Sequence, residues 1–232
     1  MFFWTEDSIR WYKEASLYTG YHKKLAEELK EFLAPQVTLC DLGCGTGLLS
    51  MELSDMVWKI LAVDRDSAAI DFVRWQTGKR NIRDLTALEA DYKELPDGCC
   101  DVALACSFGT LRSNLYDFIK IPTQRLIFIN RNKGKSKEGF EGVIREPDSA
   151  SQDEGYLIAN KVPYYKKAFT LDFGQPLRDE EDAQKFFAHY KLTPQEGTLA
   201  ELLEKHQLKE PGEYRYYIPN EKEIVVFVID KA

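Results

Sequence analysis

The segment most suited to chemistry is a glycine-rich turn that reads Asp41-Leu-Gly-Cys-Gly-Thr-Gly47. An apolar, strand-like run precedes it from Val37, and an apolar run that opens a helix follows it. Glycine lets the backbone turn sharply and approach a ligand without interference from a Cβ atom. The helix after the turn offers unpaired backbone N–H groups and the positive end of its dipole. The segment therefore predicts a binding site for a small-molecule cofactor.

The spacing of these glycines separates two classes of cofactor. Dinucleotide sites use a G-x-G-x-x-G spacing, whereas the last interval between Gly43, Gly45 and Gly47 is one residue shorter. Asp41 stands two residues before the first glycine, where a carboxylate repels a pyrophosphate and attracts an ammonium group. The combination favours an aminoacyl nucleoside over a nicotinamide dinucleotide.

Three further segments at predicted strand ends accompany the turn. They are Ala62-Val-Asp-Arg-Asp66, Glu89-Ala-Asp-Tyr92 and Asp101-Val-Ala-Leu-Ala-Cys106. In order and spacing, the four segments resemble the class I S-adenosylmethionine-dependent methyltransferases over roughly residues 37–130. The resemblance implies S-adenosylmethionine as cofactor, with S-adenosylhomocysteine as product. It also implies a doubly wound α/β fold, with a seven-stranded, mostly parallel sheet and an antiparallel C-terminal strand.

The resemblance assigns the turn to the methionine part of the cofactor. The backbone of Gly43, Cys44, Gly45 and Gly47 would pass under this part, and Asp41 would lie near its amino group. Two alternatives rest on the residues alone: Asp41 is a solvated strand end, and Cys44 is a small filler rather than a reactive thiol.

The nucleoside part falls to residues at the ends of the second and third strands. By resemblance, Asp64 would accept hydrogen bonds from both ribose hydroxyls, and Arg65 would flank the adenine. Asp91 would accept from the adenine amino group, with Tyr92 beside it. The alternative for each Asp is an ordinary turn residue, because Asp is common at strand ends.

The reacting part of the site is predicted from two other segments. Cys106 and Ser107 would line the sulfonium and the substrate entrance. Near the N-terminus, Trp4, Trp11 and Tyr12 either fold over the cofactor, as implied by the resemblance, or pack in the core.

The elements that must position these residues alternate between strand and helix. Two helices from Ser8 to about Leu33 are predicted to break at Thr19-Gly20, with Asp7 or Ser8 as cap. Continuous apolar runs between helices indicate a parallel sheet covered on both faces. The predicted strands are Val37–Asp41, Lys59–Asp64, Leu85–Asp91, Asp101–Cys106 and Arg125–Asn130.

The pattern changes after the fifth strand. Residues 131–176 lack a long helical pattern, and the run from Val162 to Phe173 predicts an inserted antiparallel β layer. Helices are predicted over 179–190 and 198–206, and two C-terminal strands, 213–219 and 223–230, are predicted to form a hairpin. We expect a single domain over 1–232, with 1–34 as a helical cap and 133–176 as an inserted lid or dimerisation subdomain.

Composition bounds the partners. The formal net charge of −7 disfavours a nucleic acid. Five cysteines occur without paired Cys-x-x-Cys motifs and with only three scattered histidines, so no metal site and reduced, cytoplasmic thiols are expected. The N-terminus does not have the pattern of a signal peptide, and no apolar run reaches the roughly 18 residues of a membrane helix.

The methyl acceptor is predicted from absences and from the insert. The Asn/Asp-Pro-Pro-Tyr/Phe and Pro-Cys signatures of enzymes that methylate planar bases are missing after Cys106. Aromatic residues in the insert suit a lid over a small organic acceptor or a homodimer contact. The segment from Phe169 to Leu177 is also similar to bacterial methyltransferases of unassigned substrate. The sequence identifies no general base. By topology, His189 is the candidate, while Tyr164 and Tyr165 are candidates for the acceptor pocket.

Three other functions compete with a small-molecule methyltransferase. A non-catalytic S-adenosylmethionine-binding module would keep the pocket alone. An aminopropyl transferase would use the same fold but needs acidic residues for a polyamine, which the loop after Cys106 lacks. A nicotinamide-dependent oxidoreductase is disfavoured by the glycine spacing.

Overall fold

A computed structural model describes residues 4–132, 140–142, 150–194, 196–210 and 212–231. The strands are β1 (Thr38–Leu42), β2 (Lys59–Asp64), β3 (Leu85–Glu89), β4 (Cys100–Cys106), β5 (Pro122–Asn132), β6 (Phe140–Gly142), β7 (Tyr165–Asp172), β8 (Gln175–Leu177), β9 (Leu192–Pro194), β10 (Tyr216–Ile218) and β11 (Glu221–Asp230). The helices are α1 (Glu6–Thr19), α2 (Tyr21–Leu29), α3 (Leu48–Leu53), α4 (Ser67–Arg80), α5 (Leu111–Lys120), α6 (Ala150–Ala159), α7 (Glu180–Tyr190) and α8 (Leu199–Lys205).

One seven-stranded sheet organises the chain, in the order β3-β2-β1-β4-β5-β11-β7. The first five strands in this order run parallel to their neighbours. Strand β11 runs antiparallel to both β5 and β7. The predicted fold class, a mostly parallel α/β sheet with an antiparallel C-terminal strand, is therefore confirmed. Two small antiparallel sheets, β8–β10 and β6–β9, lie outside it.

Helices bury both faces of this sheet, which explains why its strands are apolar on both sides. On one face the core includes Leu25 and Leu29 of α2, together with Leu53 of α3. On the other face, Phe118 of α5 and Leu157 of α6 are fully buried. Within the described ranges, no helix has the length and apolar character that crossing a bilayer requires.

The N-terminal helices form as predicted, although the cap of the first one is different. Thr5, rather than Asp7 or Ser8, is the N-cap of α1, because its side chain accepts from the Ser8 N–H. Ser8 reciprocates by accepting from the Thr5 N–H at 2.8 Å, which completes a capping box. Gly20 ends α1 in the left-handed region, at φ 67°, and separates it from α2.

The region after β5 differs from the prediction in three ways. Helix α6 lies within the segment that the sequence left without a helix, and residues 133–139 and 143–149 of the predicted insert lie outside the described part. Strand β7 is not a separate layer, because it completes the main sheet along the free edge of β11. The two C-terminal strands do not form a hairpin: β10 pairs with β8, and β11 pairs with β5 and β7. These pairings depend on which strand edges are free in the folded sheet. The local sequence pattern does not contain that information.

A buried polar cluster fastens α1 to α7. Asp182 of α7 accepts from the Trp11 indole N–H at 2.8 Å and from the Arg10 guanidinium at 2.5 Å. Glu14, also on α1, pairs with Arg178 at 2.5 Å. Because Asp182 is almost fully buried, its loss would remove the acceptor of the Trp11 indole and one of the acceptors of Arg10.

We expect Asp182→Ala to lower the free energy of unfolding by about 2–3 kcal/mol, since a buried acceptor of charged and indole donors is lost. Glu181→Ala is the matched control, because that exposed side chain pairs only with Lys185 within the same helix, and its loss costs about 0.5 kcal/mol. Guanidinium denaturation measures both. Equal effects of the two variants would show that the cluster does not fasten the helices.

Candidate active site

A large cavity lies at the carboxyl ends of β1, β2, β4 and β5, with a volume of about 1020 Å³. This volume is at the upper end of the roughly 300–1,000 Å³ typical of sites for one small ligand. It therefore has room for a nucleoside cofactor and a second small molecule. Eight of the predicted residues line it: Tyr12, Gly43, Cys44, Gly45, Asp64, Arg65, Cys106 and Ser107.

The glycine turn requires its glycines. Gly43, Gly45 and Gly47 have φ values of 66°, 52° and 62°, in the left-handed region. A Cβ atom on Gly47 would lie 2.7 Å from Val73, and one on Gly45 would lie 3.0 Å from the Trp4 indole. Gly47 caps α3 and does not line the cavity, so its role is to let the chain turn into the helix.

Asp64 at the end of β2 fixes the shape of this turn. One carboxylate oxygen accepts from the Gly45 N–H at 2.8 Å, and the other accepts from the Asp66 N–H at 3.0 Å. Each oxygen keeps further acceptor capacity toward the cavity. The geometry suits the recognition of a diol.

Asp41 lies beneath the turn rather than in the cavity wall. It is 3% exposed, and its carboxylate accepts from the Ser50 hydroxyl. Burial raises the pKa of Asp41 to about 6, and the nearby charge of Asp64 acts in the same direction. A ligand ammonium nearby would favour its ionised form.

Thr46 presents an unpartnered polar atom in the same wall. Its hydroxyl oxygen is buried and has no hydrogen-bond partner among the described residues. Buried polar atoms are normally satisfied, so this hydroxyl is suited to a polar group of a bound ligand. Together with the glycine turn and Asp64, it fits an aminoacyl nucleoside.

Asp91 and Tyr92 do not line the cavity. Asp91 caps a short 3-10 turn by accepting from the Lys93 N–H at 3.0 Å. The Tyr92 ring packs edge-on against Phe108, with centroids 5.5 Å apart, and its hydroxyl accepts from Asn114 at 2.8 Å. Phe108 itself lines the cavity and covers Gly43. It therefore separates Tyr92 from the cavity.

The two cysteines of the wall are neutral thiols. Burial raises the pKa of Cys106 to about 12 and also raises the pKa of Cys44. The next residue, Ser107, takes a left-handed φ of 52°, which is uncommon for a residue other than glycine. These thiols therefore shape the wall and are not nucleophiles.

Tyr12 reaches the cavity at the end of a hydrogen-bonded chain. Ser16 contacts His22 Nδ1 at 2.6 Å, and His22 Nε2 contacts the Tyr12 hydroxyl at 3.1 Å. Burial, aided by the charge of Lys222, lowers the pKa of His22 to about 3. A neutral His22 therefore orients the Tyr12 hydroxyl and is not a general base near neutral pH.

The other predicted candidates lie elsewhere. His189 is exposed on α7 and contacts Trp11, which is buried in the core of that region. Tyr164 donates to Glu154 at 2.9 Å, and Tyr165 is 54% exposed. None of these three lines the cavity. The two tyrosines lie at or just before the start of β7, whereas Phe173, just after its other end, lines the cavity.

Sequence reasoning missed one half of the cavity wall. Asn130 and Arg131 lie near the end of β5, where the rule that identified Asp64 and Cys106 could have found them. The other members come from segments that only the tertiary structure brings together: Phe173, Gln175, Phe186, Tyr190, Leu192, Asn220, Lys222 and Ile224.

The part of the chain that forms this site is similar to known proteins. Residues 39–120 match the family described as "Methyltransferase domain". The match covers about a third of the chain, from β1 to α5. The glycine turn, β2 and the Asp64 corner all fall inside the matched region, so the resemblance to class I S-adenosylmethionine-dependent methyltransferases is confirmed.

Relatives and solved structures agree on this domain. A ribosomal RNA small subunit methyltransferase G from Bordetella petrii is 37% identical over 76 residues, which are 32% of this chain and 30% of that protein. A ribosomal protein L11 methyltransferase from Clostridium botulinum is 26% identical over 38% of this chain and 29% of its own length. The chain thus spans less than a third of these relatives. The YcgJ structure from Bacillus subtilis shares the fold, with a TM-score of 0.58 at 11% identity over 92% of this chain and all of that one.

The neutral, buried His22 predicts a pH dependence of stability. Its pKa is about 3 in the folded chain and 6.5 without burial, so between these values the unfolded chain binds one proton more. Stability contributed by this group is complete above pH 6.5 and falls as the pH decreases, by about 1.4 kcal/mol per pH unit. When the pH falls from 7.5 to 5.0, the free energies of unfolding of His22→Gln and of the unmodified protein should therefore change by different amounts. The decrease should be about 2 kcal/mol smaller for His22→Gln than for the unmodified protein.

Guanidinium denaturation at the two pH values measures this difference. The contribution of Asp41 to the pH dependence cancels, because both proteins contain Asp41. Replacement of the exposed His189 by Gln is the control and should leave the pH dependence unchanged. Parallel pH profiles of the unmodified protein and His22→Gln would contradict a neutral buried His22.

Proposed function

We propose that this chain is an S-adenosylmethionine-dependent methyltransferase that transfers a methyl group to a small organic acceptor. The observation that carries the proposal is the Asp64 carboxylate, held by the Gly45 N–H at the edge of a cavity large enough for two ligands. A dinucleotide site is disfavoured because the glycine spacing is too short.

The residues present fit the cofactor. Asp64 would accept from the ribose hydroxyls, and the Gly43–Gly47 backbone would lie under the methionine part, with Asp41 as a buried counter-charge to its ammonium group. The Thr46 hydroxyl would gain the partner that it lacks among the described residues. Trp4 lies over Gly45 and lines this half of the cavity.

The residues proposed to contact the adenine differ in part from those that the sequence predicts. Arg65 lines the cavity and would flank the ring, as the sequence predicts. Tyr92 packs behind Phe108, so we assign the stacking contact to the Phe108 ring. The contact of Asp91 with the adenine amino group stays a prediction, and Asp91 does not line the cavity.

When bound, the cofactor supplies a sulfonium methyl that the acceptor's lone pair attacks, while the electrons of the broken S–C bond return to sulfur. The leaving group is already good, so the task of the protein is alignment and exclusion of water. Cys106 and Ser107 shape the wall near the reacting atoms. Tyr12, whose hydroxyl is held by His22, lines the same space.

A small acceptor agrees with the walls of the second half of the cavity. Phe173, Phe186 and Tyr190 enclose it, and the net charge of −7 opposes a polyanionic nucleic acid. The relatives named above are called methyltransferases of ribosomal RNA and of a ribosomal protein, so the acceptor is a point on which this chain would differ from them.

The organisation of the chain supports a cap and leaves the insert as a prediction. Trp4, Tyr12 and Tyr21 of the N-terminal segment line the cavity, which supports residues 1–34 as a cap on a single methyltransferase domain over 1–232. Residues 133–176 as a lid or a homodimer contact, and a cytoplasmic location, stay predictions.

Asp64→Asn should weaken the binding of S-adenosylhomocysteine more than about tenfold, because the ribose loses a charged acceptor and the turn loses its anchor. The control Asp71→Asn changes an exposed carboxylate of α4 that pairs only with Arg74, and we expect no change in affinity. Isothermal titration calorimetry measures both variants.

The same titrations with NAD discriminate the cofactor class. Binding of S-adenosylhomocysteine without binding of NAD supports the proposal. An absence of S-adenosylhomocysteine binding by the unmodified protein overturns it. Binding that persists unchanged in Asp64→Asn removes Asp64 from the site. Methyl transfer from radiolabelled S-adenosylmethionine to an acceptor panel separates an enzyme from a non-catalytic binding module.

A further inference from the structure

The wall of the cavity separates its charges. Beside the glycine turn it carries two carboxylates, Asp64 and Asp66, together with Arg65. The opposite half carries two cations, Arg131 and Lys222, and among the described residues that line it there is no carboxylate. No Asp or Glu of the described residues forms an ion pair with either cation. An uncompensated pair of cations in a concave wall indicates an anionic ligand.

The carboxylate that acts on Lys222, Asp172, is already engaged. Asp172 contributes to the electrostatic environment of Lys222, but it accepts from the N–H groups of Gly174 and Asn220, each at 2.9 Å. Its second oxygen accepts from the Tyr217 hydroxyl. Asp172 thus holds the β7–β8 corner and does not neutralise the cavity.

Aromatic rings surround Lys222. Its ammonium lies 4.0 Å from the centroid of Phe173 and 5.6 Å from that of Tyr21. These two rings are in contact at 4.5 Å, and Tyr12 packs against Phe173 at 5.1 Å. The cations therefore border a surface that suits a flat, apolar ring.

The surroundings of Lys222 disfavour its charged form. Burial lowers the pKa of its ammonium to about 7, and the charge of Arg131 adds to this effect. A bound anion would offset both the burial and the repulsion from Arg131, because it gives a desolvated cation a counter-charge. The wall is therefore complementary to a negative group.

We propose that the methyl acceptor is a planar aromatic carboxylate, whose anionic group binds Arg131 and Lys222 and whose ring packs against Phe173 and Tyr21. The proposal rests on the proposed function, since it names the substrate class of that same site. The four residues that would bind the acceptor are not those proposed for the cofactor. They all lie outside the glycine turn and the Asp64 corner.

S-adenosylmethionine carries a carboxylate too, and the sheet order argues against it as the occupant. Strands β5 and β11, which carry Arg131 and Lys222, lie on the other side of β4 from β1 and its glycine turn. The two sources are nevertheless separable by experiment, because 5′-methylthioadenosine lacks the amino-acid carboxylate of S-adenosylhomocysteine.

Calorimetry with matched acids and amides tests the proposal. Benzoate, 4-hydroxybenzoate and indole-3-carboxylate are each titrated beside their own neutral amide, with and without saturating S-adenosylhomocysteine. We expect at least one acid to bind about tenfold or more tightly than its amide. Lys222→Met and Arg131→Met should each abolish this preference and leave the affinity for S-adenosylhomocysteine unchanged. Lys59→Met, at an exposed position, should retain it.

Two results would overturn the proposal. The first is that no acid of the panel binds more tightly than its amide. The second is that Lys222→Met and Arg131→Met weaken S-adenosylhomocysteine while 5′-methylthioadenosine is unaffected, which would assign the cations to the carboxylate of the cofactor. If S-adenosylhomocysteine does not bind at all, the proposed function fails. The titrations of the acids and amides in its absence still decide whether Arg131 and Lys222 select an anion. Thermal melting of each variant verifies that it is folded.

Discussion

The turn between β1 and α3 is the constraint on which the rest of the site depends. Three residues of this turn have positive φ, and the turn stays in place because Asp64 accepts from the Gly45 N–H and Val63 accepts from the Cys44 N–H at 3.0 Å. The parallel pairing of β1 with β2 brings both acceptors beside the turn. Secondary structure, sheet register and the ligand-facing carboxylate are thus parts of one arrangement. A change in any of them would move the others.

The helical cap turns this open edge of the sheet into an enclosed cavity. Helix α1 brings Tyr12 over the sheet, and the cluster of Asp182 with Arg10 and Trp11 holds α1 against α7. Inside the cap, Ser16 and His22 fix the direction of the Tyr12 hydroxyl. A methyl transfer needs a dry and aligned site more than it needs proton transfer. The cap encloses the cavity, and its residues His22 and Tyr12 are neutral.

Electrostatics divides the cavity into two halves with different tasks. Asp64 stands at one end with its carboxylate held by backbone N–H groups, whereas Lys222 stands at the other among aromatic rings. Carboxylates suit a ligand with hydroxyl and ammonium groups, and desolvated cations suit an anion. The proposed cofactor matches the first half of the cavity, and the proposed anionic acceptor matches the second.

The sequence by itself determined the α/β class, the parallel strands and the residues at their carboxyl ends. Glycine spacing, apolar runs and Asp64 are local signals, and local backbone preference suffices to interpret them. Tertiary structure decided the remainder. Phe108 came between Tyr92 and the cavity, His22 became a neutral support for Tyr12, and β7 joined the main sheet along the edge of β11. Lys222 and Phe173 are 49 residues apart in the chain, yet they face each other in the cavity. Contacts between distant segments depend on burial and on free sheet edges, and no local pattern in the sequence records them.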